Sequence, residues 1–190
     1  MALVMTLGAR APIRVSNVST QRKQNQMIYN VLTVCHGNLC RSPMAAALLQ
    51  QRVEGLHVCS AGLAAEAGEP ATTEAVAVLS EIGIDIRAHR SMRLTRQIAS
   101  DAELILTMTA AQTRSLQSIY PLMRGRIFSI RCFDDVDIDD PMGLPVSAFR
   151  TCRDALIGGI DYWVMRLKKL GEPSVHRVCS QAVCIGGGGQ

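Results

Sequence analysis

Two spacings of apolar residue alternate along this chain. Short apolar segments at 27–34, 56–60, 104–108 and 127–130 have the length and residue types of buried strands. Segments 43–53, 71–82, 110–120 and 145–170 instead place apolar residues every three to four positions, the spacing of a helix with one buried face, and a short helix is expected near 95–100. Strands that alternate with helices predict an α/β fold in which helices cover both faces of a parallel sheet. No internal repeat interrupts this order.

Composition narrows the picture. The 190 residues, 48% hydrophobic and 19% charged, suit one soluble domain, expected over 27–170, and no stretch is long and apolar enough to cross a membrane. The formal charge of +4 has a location: residues 1–26 carry Arg10, Arg14, Arg22 and Lys23 and no acid, so these four match the whole excess. The balanced remainder argues against a nucleic-acid surface. Residues 1–26 are expected to form a disordered basic extension, with Met27 offering a downstream start, and 171–190, with its Gly186 to Gly189 run, a flexible tail. Seven cysteines, an odd number without Cys-x2-Cys pairs, fit neither a zinc cluster nor a secreted disulfide framework. They predict a reducing, cytoplasmic setting with no metal and no cofactor. Cys59, Cys132 and Cys152 read as core or surface thiols, and Cys179 and Cys184 fall in the tail.

The chemistry concentrates in Cys35-His36-Gly37-Asn38-Leu39-Cys40-Arg41-Ser42-Pro43, directly behind the first expected strand. A cysteine and an arginine with five residues between them can close a loop around a tetrahedral oxyanion. The N–H groups of His36 to Cys40 then point inward, and Arg41 offers a planar fork of donors. Ser42 and Pro43 open a helix, so the positive end of its dipole faces the loop. In that field Cys35 is expected to be a thiolate able to attack phosphorus. About a hundred residues later, Asp139-Asp140-Pro141 brings carboxyl groups, and Pro141 restricts the backbone of the residue before it. Ester cleavage needs a proton for the leaving oxygen and then a base for water; Asp140 is expected to serve as both, with Asp139 as the alternative. Asp134, Asp135 and Asp137 read as solvated loop acids. Cys40 has two readings: it packs beneath the loop, or it captures oxidised Cys35 as a reversible disulfide.

On these residues the chain resembles the low-molecular-weight protein tyrosine phosphatases over roughly residues 28 to 170. The resemblance extends through Ser60-Ala61-Gly62, His89 and Glu103 to Met108. It implies a flavodoxin-like order of four parallel strands and sets the general acid directly before the proline, at Asp140. It also gives four residues the task of bracing the loop: Asn38, Ser42 as donor to the Cys35 sulfur, and Ser60 and His89 as partners of Asn38. Leu39 and Met142 would wall the substrate cleft. Tyrosine-directed members often carry an aromatic residue where this chain has Met142, and related arginine phosphatases a threonine where it has Leu39. The apolar bulk of Leu39 favours phosphotyrosine over phosphoarginine. Ser60 to Leu63 and Pro121 to Ile127 look most like bacterial members that act on tyrosine autokinases of exopolysaccharide export, so the expected partner is a phosphotyrosine protein of that kind and the enzyme a monomer. The competing readings are a protein arginine phosphatase, a thiol-dependent arsenate reductase and a non-catalytic phosphate-binding module. The reductase needs a further cysteine pair that 108–120 lacks.

Overall fold

Strand β1 (Asn30–Cys35) is buried along its whole length after Asn30, because it lies inside the sheet with apolar layers on both sides. The computed structural model describes residues 28–171. The expected N-terminal extension, Met27 and the tail with Cys179 and Cys184 lie outside the described residues. The other strands are β2 (His57–Gly62), β3 (Leu104–Thr107) and β4 (Ile127–Ser129). All three pairings are parallel, in the order β2-β1-β3-β4, so the chain steps from β1 to one side and then crosses back to the other. The carboxyl ends of β1 and β3 flank that reversal, where open α/β sheets place their ligands.

Alternation along the strands divides the core. Val31, Cys35, Leu104 and Leu106 pack under α1 (Arg41–Arg52), α2 (Thr73–Ser80) and α5 (Val146–Gly171), through Met44, Leu48, Val78, Leu79, Phe149 and Leu156. Leu32, Val34, Ile105 and Ile127 pack on the opposite face against Ala99 of α3 (Arg96–Asp101) and Leu116 of α4 (Ala110–Ile119). Helices therefore cover both faces, as the sequence pattern predicts, and no described helix is long and apolar enough to cross a membrane.

Boundaries differ where local caps intervene. Helix α2 begins after Thr72, whose side chain accepts from Ala75 N, and the chain turns out through Gly83 at φ 77°, so the expected helix at 71–82 loses both ends. A 3-10 turn led by Pro121 (Pro121–Arg126), which the apolar spacing does not reveal, connects α4 to β4. Strand β2 runs on to Gly62, two residues past its expected end, and this extension lies against His36 and Asn38.

Candidate active site

The segment from Cys35 to Ser42 leaves the carboxyl end of β1 and enters α1 at Arg41. Helix α1 has no side-chain cap and no acid in its first turn, whereas α2, α3 and α4 are each capped by a threonine, so its N–H groups and positive dipole are left to the loop. At the base, the Cys35 sulfur receives the Asn38 N–H at 3.2 Å and lies 3.0 Å from Ser42 Oγ. Asn38 is fully buried and left-handed at φ 57°, a conformation asparagine tolerates. Its Nδ2 donates to Ser42 Oγ at 2.8 Å and to Ser60 Oγ at 2.9 Å. Ser42 Oγ accepts from Asn38, and its own hydrogen faces two acceptors, the Cys35 sulfur at 3.0 Å and the Ala61 carbonyl at 3.4 Å. His89 Nε2 lies 2.8 Å from the Asn38 carbonyl, which can only accept, so the ring carries its hydrogen on that nitrogen. Burial, with a smaller push from Arg90, lowers the His89 pKa below its ordinary value and favours the neutral ring, although the bond to Asn38 works in the opposite direction.

The structure thus brings Asn38, Ser42, Ser60 and His89 together around Cys35. Three further braces go beyond the expected ones: two are backbone groups, which carry no residue-type signal, and the third is Gly62, which belongs to the resembling Ser60-Ala61-Gly62 but had no role assigned to it. Met92 N donates to Asn38 Oδ1 at 2.8 Å, Thr72 N to the Leu39 carbonyl at 3.1 Å, and Gly62 leaves no room for a side chain. A Cβ at Gly62 would lie 2.6 Å from the His36 carbonyl oxygen and 2.9 Å from Asn38 N. Cys40 is buried with its sulfur 3.6 Å from Thr72 Oγ1, and burial pushes its thiol up to about 11. Of the other cysteines, Cys152 is buried in α5 and its thiol is pushed up to about 12, again by burial.

Arg41 is 5% exposed, and the acid loop comes to it. Its Nη1 donates to the Ile138 carbonyl at 3.1 Å and its Nη2 pairs with Asp140 Oδ2. Arg41 Nε is the one buried side-chain nitrogen or oxygen without a partner among the described residues. Asp140 Oδ1 also accepts from Met142 N at 3.3 Å, fixing the carboxyl direction within the Asp-Pro turn. Asp139 is exposed and its carboxylate makes no hydrogen bond among the described residues. Leu39 is half-buried against the apolar cluster beneath the loop, and Met142 is exposed beside the acid.

Two loop acids depart from the solvated reading. Asp134 pairs with Arg131, which lowers its pKa, and Asp137 Oδ1 accepts the N–H of Ala110, the first residue of α4, at 2.7 Å. Unsatisfied N–H groups at a helix start draw a nearby carboxylate, an attraction invisible without knowing that the two segments meet. Among the described residues no group of three or more His, Cys, Asp or Glu side chains is placed to hold a metal ion.

A family model described as low molecular weight phosphotyrosine protein phosphatase matches residues 30–172. A probable low molecular weight protein-tyrosine-phosphatase EpsP of Ralstonia solanacearum is 43% identical over 145 residues, 76% of this chain and 100% of its own length. A protein-arginine-phosphatase of Geobacillus stearothermophilus is 39% identical over 146 residues, 75% of this chain and 98% of its own. Among solved structures, Vibrio vulnificus Wzb in complex with benzylphosphonate aligns with a TM-score of 0.70 at 31% identity, over 73% of this chain and 99% of that one.

Proposed function

This chain belongs to the low molecular weight phosphotyrosine protein phosphatase family, and from that premise we propose that it hydrolyses phosphotyrosine on proteins with Cys35 as nucleophile, Arg41 as phosphoryl clamp and Asp140 as proton carrier. The observation that carries this reading is the loop itself. Cys35 sulfur sits on the Asn38 N–H and the Ser42 hydroxyl, opposite an arginine that also holds Asp140 and keeps a buried, unpartnered Nε.

In the first step Cys35 Sγ bonds to phosphorus while the bond from phosphorus to the tyrosyl oxygen breaks, and Asp140 gives that oxygen a proton. Arg41 and the loop N–H groups meet the charge on the equatorial oxygens. In the second step Asp140, now a carboxylate, takes a proton from water. The water oxygen bonds to phosphorus as the sulfur–phosphorus bond breaks, releasing phosphate and the Cys35 thiolate. The Ser42 hydroxyl stabilises that sulfur both as attacking and as leaving group.

The partner we propose is a bacterial tyrosine autokinase of exopolysaccharide export or one of its substrates, on the strength of the resemblance in 60–63 and 121–127. The proposed setting is the cytoplasm, a reading that rests on the odd number and the spacing of the seven cysteines. The relative from Geobacillus stearothermophilus gives phosphoarginine a specific claim as second substrate, against which stands the apolar Leu39.

Purified protein tested side by side on phosphotyrosine and phosphoarginine peptides should turn over phosphotyrosine faster, and Cys35→Ser should bind phosphate without turnover. Faster release from phosphoarginine would replace the substrate, and substantial turnover by Cys35→Ser would overturn the nucleophile.

A further inference from the structure

Asp140 is held at its working position by very little of its own. Its carboxyl group reaches Arg41 and the N–H of Met142, yet the residue is exposed, and the loop it ends, 131–140, contains no strand or helix. Something must fix the height of that loop above Cys35. The side chain of Ile138, buried in the core, anchors the loop, and two adjacent hydrogen bonds hold the chain at and just before it. Ile138 N donates to the Met108 carbonyl at the end of β3 at 2.9 Å, and Asp137 Oδ1 accepts Ala110 N at the start of α4 at 2.7 Å.

The second attachment suits a carboxylate. Thr109 Oγ1 accepts from Gln112 N and Gln112 Oε1 from Met108 N, which leaves Ala110 N among the orphan donors of the α4 terminus. The helix dipole adds to that hydrogen bond, so the carboxylate is bound more firmly than a neutral acceptor would be. Asp137 lies three residues before Asp140, and the carbonyl of Ile138, between them, accepts from Arg41 Nη1. The chain from Asp137 to Asp140 therefore spans from the α4 terminus to the guanidinium that clamps phosphate.

We propose that Asp137 is a positioning residue for the general acid: by clasping the N-terminus of α4 it sets the distance between the Asp140 carboxyl and the leaving oxygen. The inference rests on the reading of Asp140 as the acid. Its role is geometric, since Asp137 touches neither Cys35 nor Arg41 and its bond is to a backbone N–H.

The test compares phenyl phosphate, whose leaving group needs a proton, with p-nitrophenyl phosphate, whose leaving group departs with less help. Asp137→Ala should lower kcat/KM, which reads phosphocysteine formation and not the hydrolysis step common to both esters, on the order of tenfold for phenyl phosphate, because small displacements of a catalytic group are costly, and leave kcat/KM for p-nitrophenyl phosphate nearly unchanged. Asp137→Asn keeps an oxygen acceptor for Ala110 N and should restore most of the loss. In an Asp140→Asn background, Asp137→Ala should add no further dependence on the leaving group. Equal losses of kcat/KM on both esters, no loss on either, or an Asp137→Asn variant as slow as Asp137→Ala would each overturn the inference. Should Asp137→Ala prove poorly folded by thermal denaturation, Asp137→Ser with the same pair of esters decides, and a loss on phenyl phosphate alone is again required. If Asp140→Asn alone treats the two esters alike, the acid assignment falls and this inference with it, whereas failure confined to the Asp137 variants overturns this inference alone.

Discussion

At the scale of single residues, the arginine is the part that joins the two loops of the proposed site. Arg41 uses Nη1 on the Ile138 carbonyl and Nη2 on Asp140, so one planar group orients both the phosphate loop and the acid loop. A lysine offers a single ammonium that cannot keep both bonds and meet a phosphoryl group. Arg41→Lys should therefore lose turnover on the order of a hundredfold or more, measured as kcat on an aryl phosphate, and near-normal kinetics would remove Arg41 from the clamp. The second residue to test is Cys40. Capture of a Cys35 sulfenic acid requires the Cys40 thiolate, which burial disfavours by raising the thiol to about 11. Because its ionised fraction then grows about tenfold per pH unit below that value, formation of a Cys35 to Cys40 disulfide after mild peroxide should be much faster at high than at neutral pH. Equal recovery of wild type and Cys40→Ser with reductant at both pH values would leave Cys40 with its packing role against Thr72. Side chains of this kind are what a sequence displays. Cys35, Arg41 and the Asp-Pro pair were legible because their chemistry is written in residue type and spacing, whereas the bracing roles of Asn38, Ser42, Ser60 and His89 came with the family resemblance. Met92 N, the Ile138 carbonyl and the clasp from Asp137 to Ala110 were not legible, since a backbone donor or a long-range meeting of loops leaves no residue-type signature.

At the scale of elements, the alternation of strand and helix was legible throughout, because buried strands and amphipathic helices differ in the period of their apolar residues. Their ends were less so. Thr72 caps α2 and also sends its N–H to the Leu39 carbonyl, so the start of that helix is set partly by the phosphate loop. The end of β2 behaves alike: Gly62 N donates to the Met92 carbonyl and Leu94 N to the Gly62 carbonyl, which draws the strand out beyond Ser60 and against the loop. Gly62 tests whether this extension serves the site. Alanine there would put its Cβ 2.6 Å from the His36 carbonyl oxygen and 2.8 Å from Ala65 Cβ, and the nearest of these atoms is backbone that cannot swing aside as a side chain does. The loop must shift, so Gly62→Ala should lose on the order of a hundredfold in kcat/KM, as expected for a displaced catalytic constellation. Its phosphate affinity should fall as well. Activity within twofold of wild type would mean that the loop tolerates the displacement.

At the scale of the whole molecule, the sheet separates two apolar layers that are not equivalent for function. The layer under α1, α2 and α5 contains Cys35, Cys40 and Met44 together with Phe149 and Leu156, so the floor of the phosphate loop is continuous with that core. The opposite layer, around Leu32, Val34, Ile105 and Leu116, contains no residue of the loop. Cavities of similar cost on the two faces should therefore have different consequences. Leu116→Ala and Phe149→Ala each remove a fully buried side chain, and each should destabilise the fold by about 2–5 kcal/mol. The one tryptophan, Trp163, is buried with its Nε1 donating to the Ile130 carbonyl at 3.0 Å, so its fluorescence follows the unfolding of both variants. At a temperature where both variants remain folded, Phe149→Ala should bind phosphate more weakly than wild type and Leu116→Ala should bind it as wild type does. The reason is physical continuity: a void in the layer that contains Cys35, Cys40 and Met44 lets the loop floor relax, whereas a void beneath α4 lies across the sheet from that floor, and the parallel ladder from β1 to β3 resists deformation. Equal weakening of phosphate binding in the two variants would show that the sheet transmits strain from either face, and that the loop is held by the fold as a whole.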